Sequence, residues 1–334
     1  MFLYLLRPLV IARRYPMVCL IQLMVLSGIL LALSNKAESF PHQIPNPIMF
    51  GADPHASVVG KTVWIYPTWN TNREAQFFAF SSSDLQNWTQ HGPVLNFRNV
   101  RWIEDDGVTQ HYAWAPGVIE KGGKFYFYYS VGLQGVTPSR IGVAASEKPA
   151  GPFLDSGKPL LTGGNGFEAI DPMAFSDQAN GRSYLYAGGS AGAKLRVFEL
   201  SRDMVSFSRE IMVDTPPMFT EGAFMHWHNG TYYLSYSHGG WRDASYSAHY
   251  ATAPSATGPW TYRGAFLSSD DHHKGPGHHS IIRHPLTHEW LVVYHRWNNQ
   301  LGKGPYEGSR QICIDHLEYD PAGLIKPVNM TGGN

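Results

Sequence analysis

Residues 114–130, WAPGVIEKGGKFYFYYS, contain the pattern that decides the fold of this chain. A short β-like run leads into the glycine turn Gly122–Gly123, and a second run, dense in aromatic residues, follows it. Two β-type runs joined by a glycine-containing turn are typical of a β-hairpin. The stretch therefore predicts two antiparallel strands.

The same hairpin pattern occurs five times along the chain. The five copies begin about 50 to 60 residues apart, at Asp53, Trp114, Asp171, Glu221 and His278. A period of this length predicts one supersecondary unit per repeat. Downstream of the hairpins a Ser or Thr, a turn and an aromatic residue recur, which is consistent with the outer strands of a four-stranded unit.

These repeats predict an all-β chain folded as a five-bladed β-propeller. Long helical periodicity is absent after residue 40, and closing the ring removes exposed sheet edges. A β-sandwich or an open solenoid is the alternative, but a sandwich does not explain five copies of one hairpin at a near-constant period. We expect residues 310–327 to supply a strand that completes a blade begun near the N-terminus of the folded part.

The first 37 residues have the composition of a signal peptide or a membrane anchor. Arg13 and Arg14 precede the apolar run from Met17 to Leu33. Small residues at the end of this run fit a signal-peptidase site, whereas the apolar residues before Arg13 fit an uncleaved anchor. We therefore divide the chain into an export segment, residues 1–37, and a propeller, residues 38–334. We expect a periplasmic or extracellular protein that meets a membrane only through an uncleaved segment.

The composition argues against several classes of function. The chain has 26 basic and 26 acidic residues, and residues 1–37 hold basic residues but no acidic one, so the rest carries a small net negative charge. No basic patch predicts binding to nucleic acid. Aromatic residues make up 13% and charged residues 16% of the chain, which suits many short strands and carbohydrate contacts. We expect Cys313 to be a buried, inert thiol.

Three of the five residues that open the repeats are carboxylic acids: Asp53, Asp171 and Glu221. The first strand of each propeller blade lines the central channel, so the three acids would meet at one mouth of that channel. Crowded carboxylates repel, so at least one needs a raised pKa unless cations or hydrogen bonds intervene. One protonated and one ionised carboxyl group are what acid–base hydrolysis of a glycoside requires. Singly, each acid is equally consistent with a turn.

Five short motifs, in order, make the interpretation more specific. They are ADPHA at 52–56, YAWAP at 112–116, AIDPMAF at 169–175, TEGAF at 220–224 and GPGHHS at 275–280. With them the sequence resembles glycoside hydrolase family 43 from about residue 45 to residue 327. The resemblance implies a five-bladed propeller that hydrolyses a glycosidic bond by a single displacement, with inversion at the anomeric carbon.

The resemblance also assigns roles to the three acids. Asp53 matches the general base that activates water, and Glu221 matches the general acid. Asp171 matches the third acid, which holds Glu221 in place and raises its pKa. An inverting pair needs room for a water molecule between its carboxyl groups, and opposite walls of a narrow channel provide it.

Four further positions are candidates for substrate binding. Trp114 opens the second repeat and is expected at the mouth of the channel, and Trp69, at the end of the next strand of the first repeat, is a candidate for the same rim. Trp241 follows the second strand of the fourth repeat and is a candidate on the leaving-group side. Arg310 resembles the family's active-site arginine that bonds sugar hydroxyls, with a surface ion pair as the alternative.

His278 opens the fifth repeat, and the resemblance implies that it lies under the sugar at the propeller axis. There it is a candidate for contacting substrate and for holding a calcium ion, directly or through water. The neighbouring histidines suggest zinc, but zinc sites have tighter ligand spacing and a supporting acid. No cofactor is expected to be required for the reaction.

The sequence thus predicts an exported, inverting glycoside hydrolase. The resemblance implies cleavage of arabinofuranosyl or xylosyl linkages in plant-type polysaccharides or oligosaccharides, with a galactofuranosidase or exo-galactanase as the alternative within the family. A non-catalytic glycan-binding propeller is a second alternative, and a retaining hydrolase or transglycosylase on another propeller is a third. The presence of all three acids argues against the binding protein.

Overall fold

Five antiparallel sheets follow one another along the chain in the computed structural model, which describes residues 44–69, 75–132, 138–190 and 192–333. The predicted export segment, residues 1–37, lies outside these residues. Within the described ranges, no helix is long and apolar enough to cross a membrane.

The first two sheets follow a short opening strand, β1 (Met49–Phe50). The first sheet contains β2 (Ala52–Val59), β3 (Thr62–Thr68), β4 (Gln76–Ser82) and β5 (Thr89–Asn96), and a 3₁₀ helix, Phe97–Asn99, follows it. The second contains β6 (Tyr112–Lys121), β7 (Lys124–Gly132) and β8 (Arg140–Ser146), with β9 (Leu154–Asp155) and β10 (Leu161–Thr162) both paired to β8.

The remaining sheets each have four strands. The third contains β11 (Met173–Ser176), β12 (Ser183–Ala187), β13 (Arg196–Leu200) and β14 (Phe207–Ile211). The fourth contains β15 (Glu221–His228), β16 (Thr231–His238), β17 (Ser247–Ala253) and β18 (Thr261–Leu267). The fifth contains β19 (Lys274–Arg283), β20 (Trp290–Trp297), β21 (Gln311–His316) and β1. The predicted hairpins are thus the first two strands of five blades.

The N-terminal strand closes the ring. β1 pairs with β21 and is the outermost strand of the fifth sheet. The prediction that residues 310–327 complete a blade begun near the N-terminus is wrong, because the first sheet already has four strands of its own. Instead, the N-terminal strand β1 completes the last blade. The Asn46 side chain strengthens this closure by donating to the carbonyl oxygen of Ile314 at 2.8 Å.

Aromatic side chains on the second strand of each blade fill the core between sheets. Fully buried examples, one from each blade, are Tyr66, Tyr128, Tyr186, Tyr236 and Tyr294. A buried phenol needs a hydrogen-bond partner, and the Tyr128 hydroxyl donates to the carbonyl oxygen of Met204 in the next blade at 2.7 Å. These contacts fix neighbouring blades relative to each other. Cys313 is buried in β21, and burial raises its pKa to about 12, as expected of an inert thiol.

The start of each inner strand is irregular. The register shifts near the beginning of β2, β6, β15 and β19. Positive φ angles occur there, including 48° at Asp53 and 39° at His278, and φ is 55° at Asp171, just before β11. β-Bulges re-aim side chains, and positive φ at residues with a Cβ clusters at functional sites. The backbone is therefore irregular at the positions that open the repeats.

Side chains at the ends of the second strands hold these irregular starts in place. In three cases a hydroxyl of the preceding blade accepts a hydrogen bond from a backbone N–H: Ala115 to Thr68 (2.7 Å), Asp171 to Ser130 (2.9 Å) and His278 to Ser237 (2.8 Å). Where the last blade meets the first, the ring nitrogen of His295 accepts from the Asp53 N–H at 3.0 Å. These hydrogen bonds couple the positions of the repeat openers to the packing of the blades.

Candidate active site

The three predicted acids meet in one cavity of about 300 Å³ at a mouth of the propeller channel. We call this cavity the acid pocket; its lining residues are Asp53, Tyr112, Trp114, Ile170, Asp171, Ser190, Glu221, Trp241, His278 and Arg310. The volume suits a small ligand. The structure thus brings together seven of the eight residues singled out from the sequence.

Asp53 lies among positively charged and polarisable groups. The Arg310 guanidinium donates to its Oδ1 atom at 2.9 Å, and the Nδ1 atoms of His278 and His295 lie 3.5 Å and 3.4 Å from the same oxygen. Burial alone would raise the pKa of Asp53, but Arg310 and then the two histidines hold it well below the usual range. Asp53 is therefore ionised at neutral pH, which a general base must be.

Asp171 has the opposite environment. Burial raises its pKa well above the ordinary value, and the carboxyl groups of Glu221 and Asp53 raise it further. Oxygen atoms of Asp171 and Glu221 lie within 4.8 Å of each other and of a ring nitrogen of His278. Two carboxyl groups this close do not both ionise readily. Asp171 therefore holds its proton to a higher pH than Asp53 does.

Glu221 is held from several sides. The Tyr246 hydroxyl donates to Oε1 at 2.8 Å, and the Ser190 hydroxyl donates to Oε2 at 2.7 Å. A Cβ added at Gly189 would lie 2.4 Å from the Cβ of Glu221, so only glycine allows this close approach. Because side chains locked by their neighbours give precise geometry, Glu221 has a fixed orientation in the pocket.

Asp171 also contacts the backbone beside Glu221. Its Oδ2 atom accepts a hydrogen bond from the Gly222 N–H at 3.0 Å. Gly222 has a φ of 65°, a left-handed conformation that glycine adopts without strain. The Asp171 carboxyl group therefore fixes the backbone turn from which the Glu221 side chain projects.

Three residues that contact the acids are missed by the sequence reasoning. Tyr246 and Ser190 contact Glu221, and His295 contacts Asp53; the Tyr246 and His295 rings are stacked, with centroids 5.6 Å apart. Tyr246 precedes a third strand and Ser190 follows a second strand, whereas the repeat pattern draws attention to the first strands. His295 had a detectable signal, because it occupies the repeat position of Ser130 and Ser237.

The tryptophans are arranged differently from the prediction. Trp114 lines the acid pocket and stacks on Tyr112 with centroids 5.8 Å apart. Trp69 lies outside the acid pocket. Its ring packs on Phe80 of β4, with ring centroids 4.9 Å apart, and lines a neighbouring cavity. Trp69 therefore lies in a different cavity from Trp114, and its role in substrate binding stays a prediction.

Trp241 and Arg310 form one unit at the edge of the acid pocket. The Arg310 guanidinium lies 4.8 Å from the centroid of a Trp241 ring, a cation–π contact. Because Arg310 pairs with Asp53, this unit connects Trp241 to Asp53, and the predicted place of Trp241 on the leaving-group side stays a prediction. The ion pair of Arg310 is thus made inside the site and not at a surface position.

The residues around His278 do not form a calcium cage. Calcium takes six to eight oxygen ligands, whereas the group found here offers one histidine nitrogen and the carboxyl groups of Asp171 and Glu221. The channel beneath His278 encloses about 10 Å³, which is space for about one water molecule. A calcium ion bound directly by these side chains would therefore take most of its oxygen ligands from water.

Comparison with known proteins decides the family. The family model described as glycosyl hydrolases family 43 matches residues 44–325, which covers all five blades. The chain belongs to glycosyl hydrolase family 43. The family 43 assignment agrees with the order of sheets and with the acids at the channel mouth. The predicted five-bladed propeller and the predicted glycosidase activity on O-glycosyl compounds are thereby confirmed, and the substrate is a carbohydrate.

Several family 43 relatives resemble this chain over most of their length. It is 38% identical to the β-D-galactofuranosidase xynD of Aspergillus niger, with 86% of this chain and 85% of that protein aligned. It is 30% identical to xylosidase/arabinosidase 43A of Humicola insolens, over 83% of this chain and 96% of the relative. The solved structure of an α-L-arabinofuranosidase from Clostridium thermocellum has a TM-score of 0.67 and 33% identity, and covers 84% of this chain and 94% of its own.

Proposed function

We propose that this family 43 enzyme is an inverting glycosidase with Asp53 as general base, Glu221 as general acid and Asp171 as the residue that positions Glu221. The observation that carries the proposal is the unequal surroundings of the acids: Arg310 donates to Asp53 at 2.9 Å, whereas oxygen atoms of Asp171 and Glu221 lie within 4.8 Å of each other, so that the pKa of Asp53 is lowered and that of Asp171 is raised. This combination supplies one base and one acid at the same pH.

The proposed reaction is a single displacement. Asp53 takes a proton from a water molecule whose oxygen attacks the anomeric carbon, and the bond from that carbon to the leaving oxygen breaks. Glu221 gives its proton to the leaving oxygen, so one water molecule is added overall and the anomeric configuration inverts. Proton exchange with solvent then restores the two carboxyl groups.

The remaining pocket residues would bind the sugar. Trp114 offers an aromatic face on the wall, where stacking on a sugar buries apolar surface. Arg310 has donors left beside the one that binds Asp53, and these can reach sugar hydroxyls. His278 lies between Asp53 and Asp171, beneath the position that the sugar would occupy.

We propose arabinofuranosyl or xylosyl linkages in plant-type polysaccharides or oligosaccharides as the substrate. The names of the Humicola insolens and Clostridium thermocellum relatives support this choice. A β-D-galactofuranoside is the second candidate, favoured by the 38% identity to the Aspergillus niger enzyme. The ring of β-D-galactofuranose has the configuration of α-L-arabinofuranose and differs in its longer exocyclic arm, so one pocket can accept both rings.

The test is a panel of 4-nitrophenyl furanosides and xylosides, with Glu221→Gln beside wild type. We expect wild type to release 4-nitrophenol from at least one glycoside. Glu221→Gln should lower kcat by about 10² to 10⁴ while the sugar still binds. Glu210→Gln, which changes an exposed glutamate on β14, is the matched control and should keep full activity. Absence of turnover on the whole panel, with sugar binding intact, would support the glycan-binding alternative instead.

We propose that residues 1–37 direct export and that catalysis needs no bound metal. The arginine-flanked apolar run supports export, and N-terminal sequencing of secreted protein would show whether the segment is removed. A calcium ion held through water near His278 is a separate proposal, and it rests on the family resemblance. Dialysis against EDTA, followed by activity and melting measurements with and without added calcium, tests it: a loss that calcium restores would favour the ion.

A further inference from the structure

A second cavity of about 400 Å³ lies directly beside the acid pocket. It shares Trp241 and Arg310 with the acid pocket, but none of the three acids lines it. We call this cavity the side compartment; the residues that matter for its chemistry are Phe50, Trp69, Arg242, Tyr306, Glu307 and Ser309. They come from β1, the end of β3 and the loops after β16 and before β21.

The wall between the two cavities is firmly anchored. Trp241 stacks on Trp297, with ring centroids 6.0 Å apart, and the Trp297 indole N–H donates to the Trp241 carbonyl oxygen at 2.9 Å. From the other side Arg310 is fixed by its ion pair with Asp53 at 2.9 Å. The cavities are therefore adjoining parts of one surface with a shared wall.

The side compartment lies on the base side of the acid pocket. Ala52, the neighbour of Asp53 in β2, lines it, and Glu221 does not. In an inverting reaction the leaving group departs beside the general acid, and water attacks from the opposite face. A part of the substrate that enters the side compartment is therefore attached to the sugar being released, and not to the leaving group.

The walls of the side compartment suit a sugar ring. Phe50 is 56% exposed and Trp241 is 43% exposed, and large apolar faces exposed in a concave surface mark a binding site. The guanidinium of Arg242, the carboxyl group of Glu307 and the hydroxyl of Ser309 add hydrogen-bonding groups. Alternating CH faces and hydroxyl edges are the two surfaces that a sugar presents to such walls.

We propose that the side compartment binds a second sugar unit attached to the glycone, so that the enzyme can release a disaccharide as well as a monosaccharide. This proposal rests on the proposed function, because the direction of the leaving group follows from Asp53 as base and Glu221 as acid. The adjoining wall of Trp241 and Arg310 lets one substrate occupy both cavities.

The direct test compares two aryl glycosides of the same sugar. One carries a single sugar, such as 4-nitrophenyl α-L-arabinofuranoside, and the other carries an α-1,5-linked arabinofuranobiose; xylose and galactofuranose pairs extend the series. Mass spectrometry of the first products shows whether the intact disaccharide is released. We expect disaccharide release, with a lower KM for the longer glycone.

Two variants test the cavity itself. Phe50→Ala removes an exposed aromatic face, and Glu307→Trp fills the space. Phe50→Ala should raise KM for disaccharide release by about tenfold, as loss of an aromatic contact implies, and Glu307→Trp should raise it at least as much because its ring occupies the space of the second sugar. Both should leave hydrolysis of the single-sugar glycoside within about twofold. Trp227→Ala removes a similarly exposed aromatic residue, 52% exposed on β15, that lines neither cavity. It should leave KM unchanged for both the single-sugar and the disaccharide glycoside.

The outcomes separate this proposal from the proposed function. Cleavage of single-sugar glycosides without release of any disaccharide would overturn the side compartment as a sugar site and leave the glycosidase intact. Disaccharide release that is unaffected by both variants would overturn it as well. If no glycoside in either series is cleaved, the proposed function fails with it. Melting temperatures of the variants show that each one is folded.

Discussion

Asp53 and Asp171 are equally buried carboxylic acids at the same repeat position, yet their pKa values shift in opposite directions. Asp53 faces Arg310, His278 and His295, and its pKa is held down although burial would raise it. Asp171 faces Glu221 instead, and its pKa is raised by burial and by that neighbouring carboxyl group. The comparison teaches that burial alone does not set the protonation state; the charge of the neighbours decides it.

The difference has its origin in the order of the blades. Asp53 belongs to the first blade and lies where the ring closes, so its neighbours Arg310 and His295 come from the last blade. Asp171 belongs to the third blade, and its neighbour Glu221 comes from the fourth. At one repeat position the pKa of an aspartate is therefore lowered or raised according to which blade lies next to it.

Among substitutions of the groups around the proposed base and acid, the largest effect is expected when an amide replaces the Asp171 carboxyl group. Asp171→Asn should lower kcat/KM by about 10² to 10³ and shift the alkaline limb of its pH profile to lower pH. The reason is that two carboxyl groups no longer share one site, in which ionisation of either one opposes ionisation of the other. Asp177→Asn, another buried aspartate of the same blade, is the control for folding. An unchanged alkaline limb would contradict the proposed coupling.

A smaller effect is expected on the base side. Arg310→Met keeps an apolar side chain beside Trp241 but removes the charge that opposes the effect of burial on the pKa of Asp53. Because a higher pKa protonates the base sooner as pH falls, the acid limb of kcat/KM should move to higher pH. The value at the optimum should fall by about 10 to 100-fold.

The matched control for Arg310→Met is Arg140→Met. Arg140 is also an arginine in an ion pair, with Asp106 at 2.6 Å, but it lines neither the acid pocket nor the side compartment. Its loss should lower the melting temperature and leave the pH profile in place. Equal shifts in both variants would show that the profile reports stability and not the pKa of Asp53.

The smallest effect is expected from the hydrogen bond that orients Glu221. Tyr246→Phe should lower kcat by about tenfold, as loss of a hydrogen bond to a charged or reacting group implies, with little change in KM. Tyr128→Phe also removes one buried hydroxyl, whose hydrogen bond is to the Met204 carbonyl oxygen, but acts away from the pocket. A loss of kcat in Tyr128→Phe equal to that in Tyr246→Phe would argue against a positioning role.

The sequence predicts the parts of the site that follow the repeat. Asp53, Asp171, Glu221 and His278 open inner strands, so a constant period is enough to place them at one mouth of a ring. The acid pocket contains all four. Their different electrostatic environments do not follow from the period, because these depend on residues from other blades.

The residues missed from the sequence have no fixed place in the repeat. Tyr246 reaches Glu221 from the approach to a third strand, and Ser190 reaches it from the loop after a second strand. The position of Trp69 at the end of a strand predicts a place on the rim of the acid pocket. Packing against Phe80 turns its ring towards the side compartment instead. Loop paths and ring orientations are set by tertiary packing, which a periodic pattern does not contain.

The most direct test of the division between Asp53 and Glu221 is the configuration of the first product. A proton NMR spectrum recorded in the first minutes of hydrolysis, before the sugar mutarotates, shows which anomer the enzyme releases. A base that activates water opposite the acid predicts the inverted anomer. Release of the retained anomer would contradict these roles, because it would require a carboxylate that attacks the sugar itself.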